Sequence, residues 1–148
     1  MSYAVVMIKP LSVGRGQGPH ILENILVNTN VVLRKFRPWR ICNNTWLALE
    51  AISQNTESAF SMKSELEAGT GRNAWVCLFK AVNESVDPRT ELNELFGPND
   101  PKKWLRHHLR HRFSAISHTA DNVVYMAPVG KEELVAQLLF ENFSESDV

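Results

Sequence analysis

Apolar and polar positions alternate along this chain in blocks that change period. Ala4 to Ile8 (AVVMI) is a short run rich in β-branched residues and stopped by Pro10, which suits an interior strand. After a glycine-rich turn, Ile21, Leu22, Ile25 and Leu26 recur at helical spacing, with Pro19 near the start, and predict a helix over residues 18 to 28. Val31 to Trp39 alternates apolar residues with Lys and Arg, the pattern of a strand with one wet face. TWLALEAIS and SAFSMKSELEAG both read as helices, the second closed by Gly69. Ala74 to Val82 (AWVCLFKAV) is the most strand-like stretch and is expected to lie centrally.

DPRTELNELFG carries helix start and stop signals in the correct order, and NDPKKWLRHHLRHRF repeats the opening, so two short helices in tandem are expected. Asn122 to Pro128 (NVVYMAP) reads as a last strand. The closing GKEELVAQLLFENF puts Leu134, Leu138 and Leu139 on one side of a helix. The order is β-α-β-α-α-β-α-α-β-α. Strands separated by helices allow a parallel sheet, and the same order allows a ferredoxin-like α+β sheet; periodicity alone does not choose.

Composition narrows the field. The 148 residues, 44% hydrophobic, suit one domain over residues 1–148 with a single compact core. Sixteen basic and sixteen acidic side chains cancel, so no global field recruits nucleic acid or an anionic membrane. The first residues lack the order of a secretory signal, and no apolar run approaches the roughly 18 residues that span a bilayer, so a soluble, cytoplasmic protein is expected. Cys42 and Cys77 are too few for a disulfide framework and read as reduced small hydrophobes.

Three local patterns invite chemistry. GRGQG at residues 14 to 18 lacks the Gly-Lys-Ser/Thr of a phosphate loop and does not fit G-x-G-x-x-G, so it reads as a turn. His107 and His111 stand four apart on the expected helix, but no acidic residue or cysteine in the same turn completes a metal site, and none is expected. Lys102, Lys103, Arg106, Arg110 and Arg112 gather five of the sixteen cations in one segment. Lys102, Lys103 and Arg106 are therefore candidates for contact with an acidic partner, a protein tail or RNA.

VVMIKPLSVGRG resembles the opening strand and turn of nucleoside diphosphate kinases, approximately I-K-P-D-G-V-x-R-G, with Lys9, Pro10, Val13, Arg15 and Gly16 matching. ELFGPNDP resembles that family's L-G-x-T-N-P, LRHRF its I-R-G-D-F, and KEELVAQLLF its closing helix, in the same order across nearly the whole chain. The resemblance implies a ferredoxin-like, four-stranded antiparallel sheet with helices packed on it.

The family transfers a terminal phosphate through a phosphohistidine in N-x-x-H-G-S-D. Two registers compete here. One places the histidine on His118 in AISHTAD and leaves NVVYMAP without a counterpart. The other places NVVY on N-x-x-H, keeps Asn122 as the asparagine and puts Tyr125 in the nucleophile's place, followed by Met126, Ala127 and Pro128 where the family has glycine, serine and aspartate. Val123 and Val124 are strand formers while SAISH is loop-like, so the second register is preferred. A phenol with a pKa of about 10 is mostly protonated at neutral pH, and phosphohistidine chemistry is expected to be lost.

By the same resemblance Lys9 and Arg110 match a lysine and a phosphate-binding arginine, while Asn93 and Asn99 fall where a second arginine and a threonine would contact phosphates. Phe60 lies near the position of a base-stacking phenylalanine. The implied function is a non-catalytic scaffold or binding module without a cofactor. The alternatives are a kinase acting through His118, or a nucleotide sensor that holds a magnesium nucleotide without turning it over. Degenerate modules of this family occur in ciliary and flagellar proteins, which makes protein partners in an axonemal or other cytoskeletal assembly an expectation; so is homo-oligomerisation, since family members form dimers or hexamers.

Overall fold

The structure, a computed structural model, describes residues 2–68, 73–114 and 122–148. Four strands, β1 (Tyr3–Ile8), β2 (Val31–Arg40), β3 (Asn73–Ala81) and β4 (Val124–Met126), form one sheet in the order β2-β3-β1-β4. Every pairing is antiparallel, so the sheet is ferredoxin-like and the parallel alternative is excluded. β3 lies inside the sheet as expected. β1, flanked by β3 and β4, is buried on both sides, which explains why AVVMI is apolar throughout rather than alternating.

Seven helices cover the sheet among the described residues: α1 (Pro10–Gly14), α2 (Gly18–Asn28), α3 (Asn43–Ser53), α4 (Met62–Ala68), α5 (Pro88–Phe96), α6 (Leu109–Phe113) and α7 (Glu132–Leu139). Successive residues of β1 feed opposite cores. Ala4, Val6 and Ile8 pack with Ile21 and Ile25 of α2, Leu92 and Phe96 of α5 and Leu109 of α6. Val5 and Met7 pack with Trp46 and Leu49 of α3 and with Val135, Ala136 and Leu139 of α7. α5 uses the signals read from its sequence: Asp87 accepts from the Arg89 amide at 3.2 Å, Pro88 opens the helix, and Gly97 follows it at φ +84°. A methyl group on Gly97 would meet the His108 ring at 2.5 Å, so the glycine serves both the backbone and the packing.

Four local readings need correction. Pro10 does not merely stop β1: it opens α1, inside what reads as a loop, because proline suits the first helical turn. The second of the tandem helices is cut short to its C-terminal part. A 3-10 turn at Pro101–Lys103 is followed by a loop, and only Leu109–Phe113 is helical. The Trp104 indole donates to the Pro98 carbonyl and the Leu105 amide to His108 Nδ1, both in competition with helical bonding. Lys102 and Lys103 therefore lie on the 3-10 turn, Arg106 and His107 on the loop after it, and none shares a helix face with Arg110. The last strand holds three residues, with Val123 just before it rather than within it. Finally, α7 buries Val135, Ala136 and Leu139, whereas Leu134 is 53% exposed: the i, i+4 row of Val135 and Leu139, with small Ala136 beside it, gives the closer approach to the sheet. Among the described residues, no helix is long and apolar enough to cross a membrane.

Candidate functional site

Lys9 leaves the end of β1, and β4 runs antiparallel beside it with Tyr125 opposite Met7. A cavity of about 370 Å³ opens there, lined by Lys9, Phe60, Arg89, Asn93, Asn99, Arg110, Asn122 and Tyr125, among others. These residues come from five separate parts of the chain. The sheet brings them together by pairing the two strands that carry Lys9 and Tyr125.

Entry into β4 is strained. Val123, buried and β-branched, sits at φ +74°, and the Val124 amide donates back to the Asn122 carbonyl at 2.8 Å, closing a γ-turn. Such a conformation costs on the order of 1–3 kcal/mol and persists only where its surroundings impose it. Here they do. The Lys9 amide donates to the Val123 carbonyl at 2.9 Å, Arg110 Nε donates to the Asn122 carbonyl at 3.0 Å, and Arg110 Nη2 donates to the Val124 carbonyl at 3.2 Å. Arg110 Nη1 reaches the Gly97 carbonyl, and the guanidinium lies over the Phe96 ring, 5.8 Å from its centroid. All three nitrogens are thus engaged by backbone carbonyls. Burial pushes this arginine down to about 10, which leaves it charged at neutral pH.

Lys9 is also buried and engaged. Its ammonium forms an ion pair with Glu65 of α4 and donates to Asn122 Oδ1 at 2.7 Å. The bonding continues outward: Asn122 Nδ2 donates to Asn99 Oδ1 at 3.0 Å, and Asn99 Nδ2 donates to the Glu57 carbonyl. Asn122 and Asn99 therefore act here as links between Lys9 and the loop after α3. The side chain of Asn93 lines the cavity without a hydrogen bond to any described residue.

Arg89, in the first turn of α5, is the third cation. It donates to the Ala127 carbonyl and to Glu132 Oε1 at 3.0 Å, and Glu57 Oε1 lies 3.6 Å from Nη1. Lys9 thus meets the carboxylate of Glu65 and Arg89 those of Glu57 and Glu132, while Arg110 is held by backbone carbonyls; among these described groups three formal positive charges stand against three negative ones. A cavity with this balance exerts little net attraction on a polyphosphate, whose binding depends on excess positive charge at close range.

Tyr125 forms the back of the site. It is 5% exposed, its hydroxyl lies 2.6 Å from Ser53 Oγ, and its ring meets Phe60 edge-on at 5.6 Å between centroids. Phe60 in turn meets Trp46 at 5.7 Å. Burial pushes the Tyr125 phenol up to about 12, against the opposing hydrogen bond to Ser53. The group is a neutral, packed phenol throughout the physiological range and has no basic lone pair to offer a phosphorus centre.

Neither a family model nor a curated protein sequence matches the chain. Solved structures do. A nucleoside diphosphate kinase of Aquifex aeolicus superposes with a TM-score of 0.75 over 99% of this chain and 98% of its own, at 11% identity. A halophilic nucleoside diphosphate kinase from Halobacterium salinarum, in complex with CDP, gives 0.74 over 95% and 88% at 14% identity. A nucleoside diphosphate kinase family protein from Babesia bovis gives 0.73 over 95% and 89% at 15% identity. This is a nucleoside diphosphate kinase fold. At such identities the likeness is one of fold, and what this chain does rests on its own residues.

Within the nucleoside diphosphate kinase fold, Lys9, Arg110, Asn122, Asn93, Asn99 and Tyr125 share one cavity. Lys102, Lys103 and Arg106 are exposed on the loop before α6 and do not line it. His118 lies outside the described residues, as does Gly69. The sequence reading does not single out Ser53, Glu57, Glu65, Arg89 or Glu132, yet Ser53 meets Tyr125, Glu65 meets Lys9, the Glu57 carbonyl accepts from Asn99, and Arg89, on the cavity wall, meets Glu57 and Glu132. Two of them leave a trace. Arg89 is a cation in the first turn of a helix, where the dipole disfavours it, and Glu65 stands three residues after Met62 on the otherwise apolar side of α4.

Proposed function

We propose that this protein is a non-catalytic module with a nucleoside diphosphate kinase fold, acting as a scaffold or binding subunit. One observation carries the reading: Tyr125, which the family resemblance puts in the nucleophile's place, is a buried phenol, hydrogen-bonded to Ser53 and pushed up to about 12. The charge balance supports it, because each cation beside Tyr125 is already engaged within the protein. Phosphoryl transfer draws almost all its acceleration from positioning and neutralising phosphate charge, and neither is in surplus here. The same balance does not favour a magnesium nucleotide as a resident ligand.

The partners we put forward are proteins of a larger assembly. The family resemblance ranks an axonemal or other cytoskeletal assembly, in the cytoplasm or a cilium, as the first class to examine. The deciding experiment is calorimetric titration with ADP and ATP, followed by a phosphoryl-transfer assay from ATP to a nucleoside diphosphate. The non-catalytic reading expects no transfer. Transfer that vanishes in His118→Ala would instead make the protein an active kinase, and tight nucleotide binding without transfer would make it a nucleotide sensor.

A further inference from the structure

The loop between α5 and α6 combines features that the cavity does not use. Lys102, Lys103 and Arg106 are exposed there, and none of their side chains pairs with any described residue. Elsewhere Lys9, Lys35, Arg37 and Arg89 each face a carboxylate. Leu105, in the midst of these cations, is 57% exposed. Unpaired surface cations alone describe ordinary solvated chain. This loop, however, is ordered by its own bonds. The Asp100 carboxylate accepts from the Lys102 amide at 3.0 Å, the Trp104 indole donates to the Pro98 carbonyl at 2.6 Å, and the Leu105 amide donates to His108 Nδ1 at 2.9 Å. The His108 amide closes a turn on the Leu105 carbonyl at 3.0 Å. A loop already ordered in the free protein loses little freedom when a partner binds it.

We propose that this loop docks an acidic protein segment, with Lys102, Lys103 and Arg106 meeting carboxylates and Leu105 meeting an apolar side chain of the same segment. The proposal rests on the binding-module reading above. Complementary charge selects the acidic partner, and the exposed leucine selects a peptide over a phosphate backbone, which offers nothing for it to bury against. The Trp104 indole is tied to Pro98, and the chain's sixteen cations are matched by sixteen carboxylates, so no chain-wide positive charge adds to these three cations in favour of a long nucleic acid over a short acidic segment.

The test uses the full chain and three labelled probes in fluorescence anisotropy: a synthetic peptide of aspartate and glutamate around a central phenylalanine, the same peptide with serine at the centre, and a single-stranded RNA oligonucleotide. The phenylalanine peptide is expected to bind most tightly. Replacing Lys102, Lys103 and Arg106 together by glutamine should weaken it about tenfold and flatten its salt dependence. Leu105→Ser should weaken the phenylalanine peptide and leave the serine peptide unchanged; this variant keeps every charge and decides the matter if the triple variant does not fold. Absence of peptide binding, equal binding by both variants, or tighter binding of RNA would overturn the docking surface. Phosphoryl transfer assayed on the same preparation is independent: activity there sinks the non-catalytic reading, whereas lost peptide binding without transfer sinks the docking surface alone.

Discussion

Arg110 straddles Val123: its guanidinium donates to the carbonyls of Asn122 and Val124, the residues on either side of a valine held at φ +74°. The arginine that the family resemblance makes a phosphate ligand thus holds the turn that leads into Tyr125. Arg110→Gln leaves buried carbonyls unpaired and the strained turn unsupported, and a loss of about 3 kcal/mol or more is expected in urea unfolding. Arg110→Lys should recover only part of this, since a single ammonium cannot span the same carbonyls. Unchanged stability in Arg110→Gln would mean that the turn is held by other contacts.

Tyr125→His is expected to leave phosphoryl transfer at or near background. The imidazole would enter a site whose cations are balanced by Glu57, Glu65 and Glu132, with Ala127 and Met126 offering no side-chain hydrogen bond to orient it. Adding Asn93→Arg places a further cation on the cavity wall, where the Asn93 side chain has no hydrogen bond to a described residue, and the double variant should exceed the single one. Robust transfer by Tyr125→His alone would show that the charge balance does not limit the chemistry.

Glu65→Gln separates the two consequences of the Lys9 ion pair. Removing one member of a buried pair is expected to lower stability by about 3 kcal/mol, read from urea unfolding. The same change leaves the cavity with a net positive charge, so its affinity for ADP in calorimetry should rise above that of the parent. An affinity unchanged or lowered would count against charge balance as the reason for weak nucleotide binding.

The Tyr125 phenol, pushed up to about 12 by burial, should ionise well after an ordinary tyrosine when absorbance at alkaline pH is followed. Its folded-state value lies above the unfolded value of about 10, so the folded protein holds the proton more tightly. The associated stability is fully present below pH about 10 and is lost as pH rises towards 12. Tyr125→Phe should remove that part of the alkaline loss. Two tyrosines ionising together near pH 10 in the folded protein would place Tyr125 in solvent.

The two cysteines should differ sharply in alkylation. Cys42 is exposed before α3, and its hydrogen bond with Thr45 lowers its thiol, whereas burial raises Cys77 to about 12. Mass spectrometry of the native protein after iodoacetamide is expected to find Cys42 modified and Cys77 intact, with both modified in urea. Early modification of Cys77 would reveal opening of the sheet between β3 and its neighbours.

Much of the fold is written in short-range pattern. The strands at Ala4, Val31 and Ala74, the helix from residue 18 to 28, and the start and end of α5 all follow from residues within a turn or two of one another, as does the placing of Tyr125 in the last strand. The family resemblance adds the antiparallel sheet, which period alone leaves open because a buried strand looks the same whichever way its neighbour runs. Where near neighbours compete, sequence pattern misleads: Lys102 to Phe113 has the charges and apolar spacing of a helix, but Trp104 and Leu105 find other acceptors.

The site divides along the same line. Lys9, Arg110, Asn122 and Tyr125 can be named from motif and strand pattern. Whether their charges are available cannot, because that depends on groups within a few ångströms that lie far apart in the chain. Glu65 stands 56 positions from Lys9, and Glu132 stands 43 from Arg89. The pairing of β1 with β4 and the docking of α4 bring cation and carboxylate together, and Coulomb attraction depends on that distance and on burial, not on separation in sequence.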